Sequence, residues 1–180
     1  MYTAKQRYEQ ARAIRDDNLT WETWTKLHHT TEDSLFSLIE GAGRCHGWLW
    51  PKKLTGDVRA VVVAVHTVGS YQSGGWGIGV IANGLNILPF VPEALNRVGY
   101  LTEAESAQRS FELFPTDMDF SQPSGEKQTE ALNNIESSSN YNEFLTTIED
   151  NITSDWHGCL MPGRLIEFAE TITDTPVWSE

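Results

Sequence analysis

Cysteine is nearly absent from this sequence: two in 180 residues, too few for a disulfide scaffold. Basic residues are scarce too, with 13 Lys and Arg against 25 Asp and Glu and a formal charge of −12. Direct nucleic-acid binding needs a cationic face to neutralise phosphates, so that class of partner is excluded. Long apolar runs are missing. The longest uninterrupted one, Ala60–Val65, is six residues, far short of the roughly 20 a membrane-spanning helix requires. The opening residues Met1-Tyr2-Thr3-Ala4-Lys5-Gln6-Arg7 hold no apolar signal region. The expectation is a cytosolic protein with no membrane partner.

What is present suffices for one core. The hydrophobic share is 39%, with 14 glycines besides, an ordinary globular composition for a chain of single-domain length. No repeat and no linker divides residues 1–180 into two cores. The charge is uneven: residues 1–60 are net +1, and residues 61–180 net −13. Twelve acids fall between Glu103 and Asp155, opposed only by Arg109 and Lys127. Such a stretch is either a solvated face or a surface that meets a basic partner, since like charges held on one folded face steer cationic partners.

Hydrophobic periodicity predicts a mostly α fold, a multi-helix bundle with a Gly-rich central turn. Thr3, Thr20 and Thr30 are candidate caps for three N-terminal helices, and Gly41–Pro51 is a Gly- and Trp-rich connection. Val58–Tyr71 is ambiguous, because Val61-Val62-Val63 favours a strand while the run length favours a buried helix. Pro92 suits a first helical turn that Gly99 ends. Thr102 with Glu105 forms a capping-box pattern for a helix closing at Phe114-Pro115. A polar helix over 126–136 and a hinge at Ser137–Ser139 come next. Asn140 and Glu143 then begin the clearest helix, with Tyr141, Phe144, Leu145, Ile148 and Ile152 on one face. Pro162 opens a last helix through Leu165, Ile166 and Ala169, before a tail that Trp178 could dock.

Chemical motifs are weak. Gly77-Ile78-Gly79-Val80-Ile81-Ala82 spells G-x-G-x-x-A, but a dinucleotide fingerprint follows a strand directly and opens an unbroken helix. Trp76, Gly84 and Pro89 spoil both conditions, so the glycines read as turns or close helix contacts. Cys45-His46 and His157-Gly158-Cys159 lack the usual gaps between paired zinc ligands. His66 lies in an apolar run and reads as a hydrogen-bonded core residue, and no G-x-S-x-G elbow is present. Neither a metal nor a cofactor is implied, nor any catalytic residue. The seven tryptophans read as core and interface anchors.

A wider pattern spans residues 54–152. Leu54-Thr55-Gly56-Asp57-Val58-Arg59 begins an apolar helix to His66-Thr67-Val68. Ser73-Gly74-Gly75-Trp76 follows, then Ile81-Ala82-Asn83. Next stand Pro92-Glu93-Ala94-Leu95, Val98-Gly99, Ala104, Ala107 and Phe114-Pro115, and later Tyr141-Asn142-Glu143-Phe144-Leu145. This resembles the bacterial DNA-mimic-protein-like family, with its Gly-Gly-aromatic turn, although Gly77–Val80 departs from the family's usual residues. The resemblance implies an all-helical fold, a tendency to dimerise, and no catalytic chemistry. It also implies carboxylates arrayed like phosphates against the DNA-binding face of a regulator. Gly74, Gly75, Trp76 and Asn83 then form a structural motif.

The function expected is a non-enzymatic acidic protein that occupies a basic surface of a partner, either a DNA-binding regulator or a toxin that it neutralises as an immunity protein. The candidate partner-binding residues are Glu103, Glu105, Glu112, Asp117, Asp119, Glu126 and Glu130. The rivals are a small metal- or His-dependent enzyme and a structural helical adaptor whose acids only solvate it.

Overall fold

A computed structural model describes residues 50–120, 125–157 and 161–172, and every regular element among them is helical. The expected N-terminal helices, the Cys45-His46 pair, Cys159 and the Trp178 tail lie outside the described residues. In chain order the α-helices are α1 (Trp50–Lys53), α2 (Gly56–Gly74), α3 (Val91–Val98), α4 (Leu101–Phe111), α5 (Glu126–Glu136), α6 (Tyr141–Glu149) and α7 (Gly163–Glu170). A π-helix at Gly75–Ala82 and 3₁₀ turns at Leu88–Phe90 and Ser154–Trp156 complete the set. No helix among the described residues is long and apolar enough to cross a membrane.

α2 resolves the ambiguous valine run as helix. It is buried on all sides, with Val58, Ala60–Val65, Thr67 and Val68 all inside, and packs against the π-helix, α3 and α7. A helix apolar all round belongs at the centre of a fold. β-branched residues cost a few tenths of a kcal/mol each in a helix. Tertiary burial outweighs that over the 19 residues of α2. Its buried hydroxyl is satisfied locally, Thr67 Oγ1 donating to the Val63 carbonyl at 2.8 Å.

The chain then turns back across the end of α2. The Gly-Gly-Trp-Gly-Ile-Gly sequence lets the π-helix lie directly on the α2 backbone: a Cβ at Gly79 would overlap the Ser70 carbonyl oxygen. The widened turn shows in the Asn83 amide, which donates to the Ile78 carbonyl five residues back at 3.0 Å. The motif of Gly74, Gly75, Trp76 and Asn83 therefore builds this turn, with Trp76 fully buried beneath it.

Gly99 ends α3 as expected, in the left-handed region with φ +93°. Its amide donates to Asn96 at 3.1 Å and the Tyr100 amide to Leu95 at 2.8 Å, a Schellman closure. Because that closure already turns the chain, α4 begins at Leu101 and Tyr100 is its N-cap. The capping box expected from Thr102 and Glu105 does not form: Thr102 sits inside the helix, its carbonyl accepting from Ser106. α4 also stops at Phe111, short of Phe114-Pro115, and continues as tight turns to a buried Phe114.

The polar helix at 126–136 forms as α5. α6 starts at Tyr141 without a side-chain cap from Asn140, whose Oδ1 instead accepts from Ser139 at 3.1 Å. It ends at Glu149, three residues before Ile152, yet Tyr141, Ile148 and Ile152 are buried on the expected face. α7 follows Pro162, with Leu165 and Ala169 inside.

Candidate functional site

Phe120 fixes the segment after α4 by packing on Phe111 and Phe114, with ring centroids 5.3 and 5.5 Å away. Gln128 ties that segment to α5. It is 5% exposed; its Oε1 accepts the Gly125 amide and its Nε2 donates to the Asp119 carbonyl, both at 2.5 Å. Between the two walls lies an open cleft of about 570 Å³, lined among others by Asp117, Asp119, Glu126 and Glu130. All four carboxylates are exposed. The fold thus brings four of the seven predicted residues to one place. Among the described residues of the lining, Lys127 is the one cation, against four acids.

The other three predicted residues lie elsewhere. Glu105 is exposed on α4 and helps line a polar recess of about 230 Å³ with Arg109, Thr147 and Asn151. Glu112 is exposed and accepts from Gln108 Nε2 at 2.8 Å. Glu103 corrects the reading of the acidic stretch as wholly outward. It is only 3% exposed, and its Oε1 accepts the Thr153 amide at 2.7 Å. A carboxylate already bonded to an interior amide is no part of an exposed array. Thr153 is the N-cap of the Ser154–Trp156 turn, where a negative charge suits the open amides.

Ion pairs between described residues gather away from the cleft, around α2 and α3: Arg59–Glu93 and Arg97–Asp57, both at 3.3 Å, and Arg97–Glu93 at 4.0 Å. Two of the four cations of residues 61–180 lie over rings instead. Arg109 lies over Phe144 at 5.4 Å and Arg164 over Tyr100 at 4.9 Å. Arg164 also donates to the Gly99 carbonyl at 2.7 Å. These contacts hold positive charge against apolar surface.

Two other constellations bear on the rival functions. His66 is hydrogen-bonded, as its place in the apolar run suggests: its Nδ1 lies 3.3 Å from Ser70 Oγ, one turn along α2. Burial pushes its imidazole below the usual histidine range. His157 is exposed and meets the Tyr71 ring edge-on at 5.7 Å. Among the described residues, no three His, Cys, Asp or Glu gather as metal ligands. The G-x-G-x-x-A lies within a π-helix that follows a helix, not after a strand, and its glycines make close contacts.

Trp156 and Trp76 are core anchors, both 0% exposed. Trp156 stacks near Trp76 at 6.3 Å and meets Tyr71 at 5.6 Å and Tyr100 at 5.5 Å edge-on. Trp76 Nε1 donates to Ser110 Oγ at 2.8 Å, and Tyr100 Oη to Asp155 Oδ2 at 3.1 Å.

Sequence reasoning missed Gln128, which joins the walls of the cleft. A local signal for it exists: Gln at the third helical position after Gly125 reaches back to the amide that opens the helix. No family model, no curated protein and no solved structure matches this chain.

Proposed function

We propose that this protein is a non-enzymatic acidic binding protein that occupies a basic, nucleic-acid-binding surface of a partner, as a DNA-mimic regulator or an immunity protein. One observation carries the reading: Asp117, Asp119, Glu126 and Glu130 are exposed around a single cleft whose two walls Gln128 holds together. Duplex DNA carries a charge about every 1.7 Å of its axis, so a surface that competes with it needs carboxylates fixed on braced elements. The placement of Arg109 over the Phe144 ring is consistent with a face left for a partner's cations. Association with such a partner is fast and weakens as salt rises.

The test is affinity capture from the source cell's lysate along a salt gradient, run beside the D117N/D119N/E126Q/E130Q variant. The expected result is a basic protein that elutes as salt rises, is lost from the variant, and releases bound DNA when this chain is added. A partner held regardless of salt, or captured equally by the variant, overturns the reading.

A further inference from the structure

The acidic cleft has an apolar floor. Beneath the carboxylates its lining includes Pro115, Met118 and Ala131. A second groove, of about 350 Å³, shares Pro115, Ala131 and Asn134 with it and adds Leu113 and Ile135. The two form one trough along α5. At 1.5 Å rise per residue α5 is about 16 Å long, three helical turns. Leu113, at 38% exposed, stands at the far end of the trough from the acids of the 117–119 turn.

Charge complementarity and the apolar floor together restrict what fits. A purely ionic ligand would leave the exposed Leu113 and the half-buried Met118 and Ile135 uncovered. A purely apolar ligand would take four carboxylates out of water and bring no cation to them, a costly exchange. A segment with apolar side chains at helical spacing and Lys or Arg beside them meets both needs. Resting on the reading above, that the acidic stretch meets a basic partner, we propose that this trough is the docking site for a cationic amphipathic helix of that partner. Apolar side chains lie along α5, and basic ones reach Asp117, Asp119, Glu126 and Glu130.

Two synthetic peptides of equal charge test this on the full chain at physiological ionic strength: an amphipathic Leu/Lys helix, and the same peptide with every Leu replaced by Ser. Binding is located by amide chemical shifts. The Leu/Lys peptide is expected to bind about tenfold tighter or better, with shifts at Leu113, Met118, Gln128, Ala131 and Ile135. D117N/D119N/E126Q/E130Q is expected to weaken it about tenfold, through four exposed charge pairs. Neutralising four exposed acids on other elements, Glu143, Asp150, Glu167 and Glu170, is expected to change it less than about threefold. Leu113→Ser, at a surface position, is expected to lower the affinity of the Leu/Lys peptide and not that of the Ser peptide. Equal affinity of the two peptides at the four carboxylates overturns the amphipathic site and leaves the acidic-face reading standing. Shifts confined to other surfaces, or equal loss from both neutralised sets, overturn both.

Discussion

Replacing Gly79 by Ala tests the central turn, because the added methyl group has nowhere to go. Its Cβ would overlap the Ser70 carbonyl oxygen, stand 2.6 Å from the Ser70 carbonyl carbon and 3.2 Å from the Tyr71 nitrogen. Carbon atoms in contact sit at about 3.5 Å or more, so relief requires a shift of about 1 Å. All three atoms are backbone within α2, the most buried helix, and no rotamer change can yield. The π-helix must lift instead, and Trp76 with it. That movement strains the Trp76 Nε1 bond to Ser110 (2.8 Å) and the Trp76 amide bond to Glu149 (3.2 Å). Overpacking costs about 1–3 kcal/mol, and a loosened buried hydrogen bond about 1–3 kcal/mol more. The expected total is about 2–6 kcal/mol, against about 5–15 kcal/mol for a whole domain. At about 2–4 °C per kcal/mol, Gly79→Ala lowers Tm by about 4–24 °C.

Gly69→Ala is the matched control, ten residues earlier and within α2 itself. A Cβ there meets nothing within 4 Å. Removing glycine from a helix interior gains about 0.5–1 kcal/mol, so Tm rises by about 1–4 °C. Thermal melts followed by circular dichroism, with guanidinium titrations beside them, measure both. The reasoning fails if Gly79→Ala stays within about 3 °C of the parent, or if the two substitutions shift Tm in the same direction.

Ser110→Ala removes the acceptor of the buried Trp76 indole and is expected to cost about 1–3 kcal/mol; a double-mutant cycle with Trp76→Phe should show coupling, and additive losses would refute the bond's importance. Alkaline pH should destabilise the fold. The phenols of Tyr71, Tyr100 and Tyr141 are all pushed above their ordinary 10.0, by burial first and then by the charges of Glu149, Asp155 and Glu136 respectively. The unfolded chain therefore releases these protons before the folded one does, so stability is full below pH 10 and falls as pH rises beyond it. Phenolate absorbance for these three should appear only as the helical signal is lost, and Tyr100→Phe should make the decline shallower. Full ionisation of all five tyrosines in a chain that keeps its helices would refute this.

Local pattern made parts of the fold legible. The Gly99 stop, the α6 face and α5 follow from spacing and capping chemistry within a few residues. α2 was undecidable locally, because β-branched preference and run length point opposite ways and only burial on every side chooses between them. The π-helix was legible as a crowd of glycines but not as a geometry, since the Gly79–Ser70 approach depends on two helices meeting. At the cleft, the exposed acids were legible as a cluster in the sequence. The burial of Glu103 was not, because its partner amide at Thr153 is 50 residues away. Its neighbour Glu105 carries the same chemistry and faces water.

The acids between Glu103 and Asp155 accordingly divide into two sets with different work. Glu103 accepts the Thr153 amide, Glu149 the Trp76 amide, and Asp155 the Tyr100 hydroxyl. Two of these bonds stand where helical turns begin and amides lack partners, where a carboxylate is favoured. All three lock segments against the Trp76–Tyr100–Trp156 cluster. Asp117, Asp119, Glu126 and Glu130 face the cleft instead. Neutralising the first set, E103Q/E149Q/D155N, weakens three charge-assisted bonds at about 0.5–1.5 kcal/mol each and lowers Tm by about 3–18 °C. Neutralising the second set removes as much charge or more but touches only exposed positions, where each change is worth about 0.5 kcal/mol or less. If net repulsion governed stability, both variants would gain, and the second would gain more, since relieving self-repulsion favours the compact state. Opposite responses in Tm, with partner binding lost only from the second variant, would show that this chain's acidity serves its core and its surface separately.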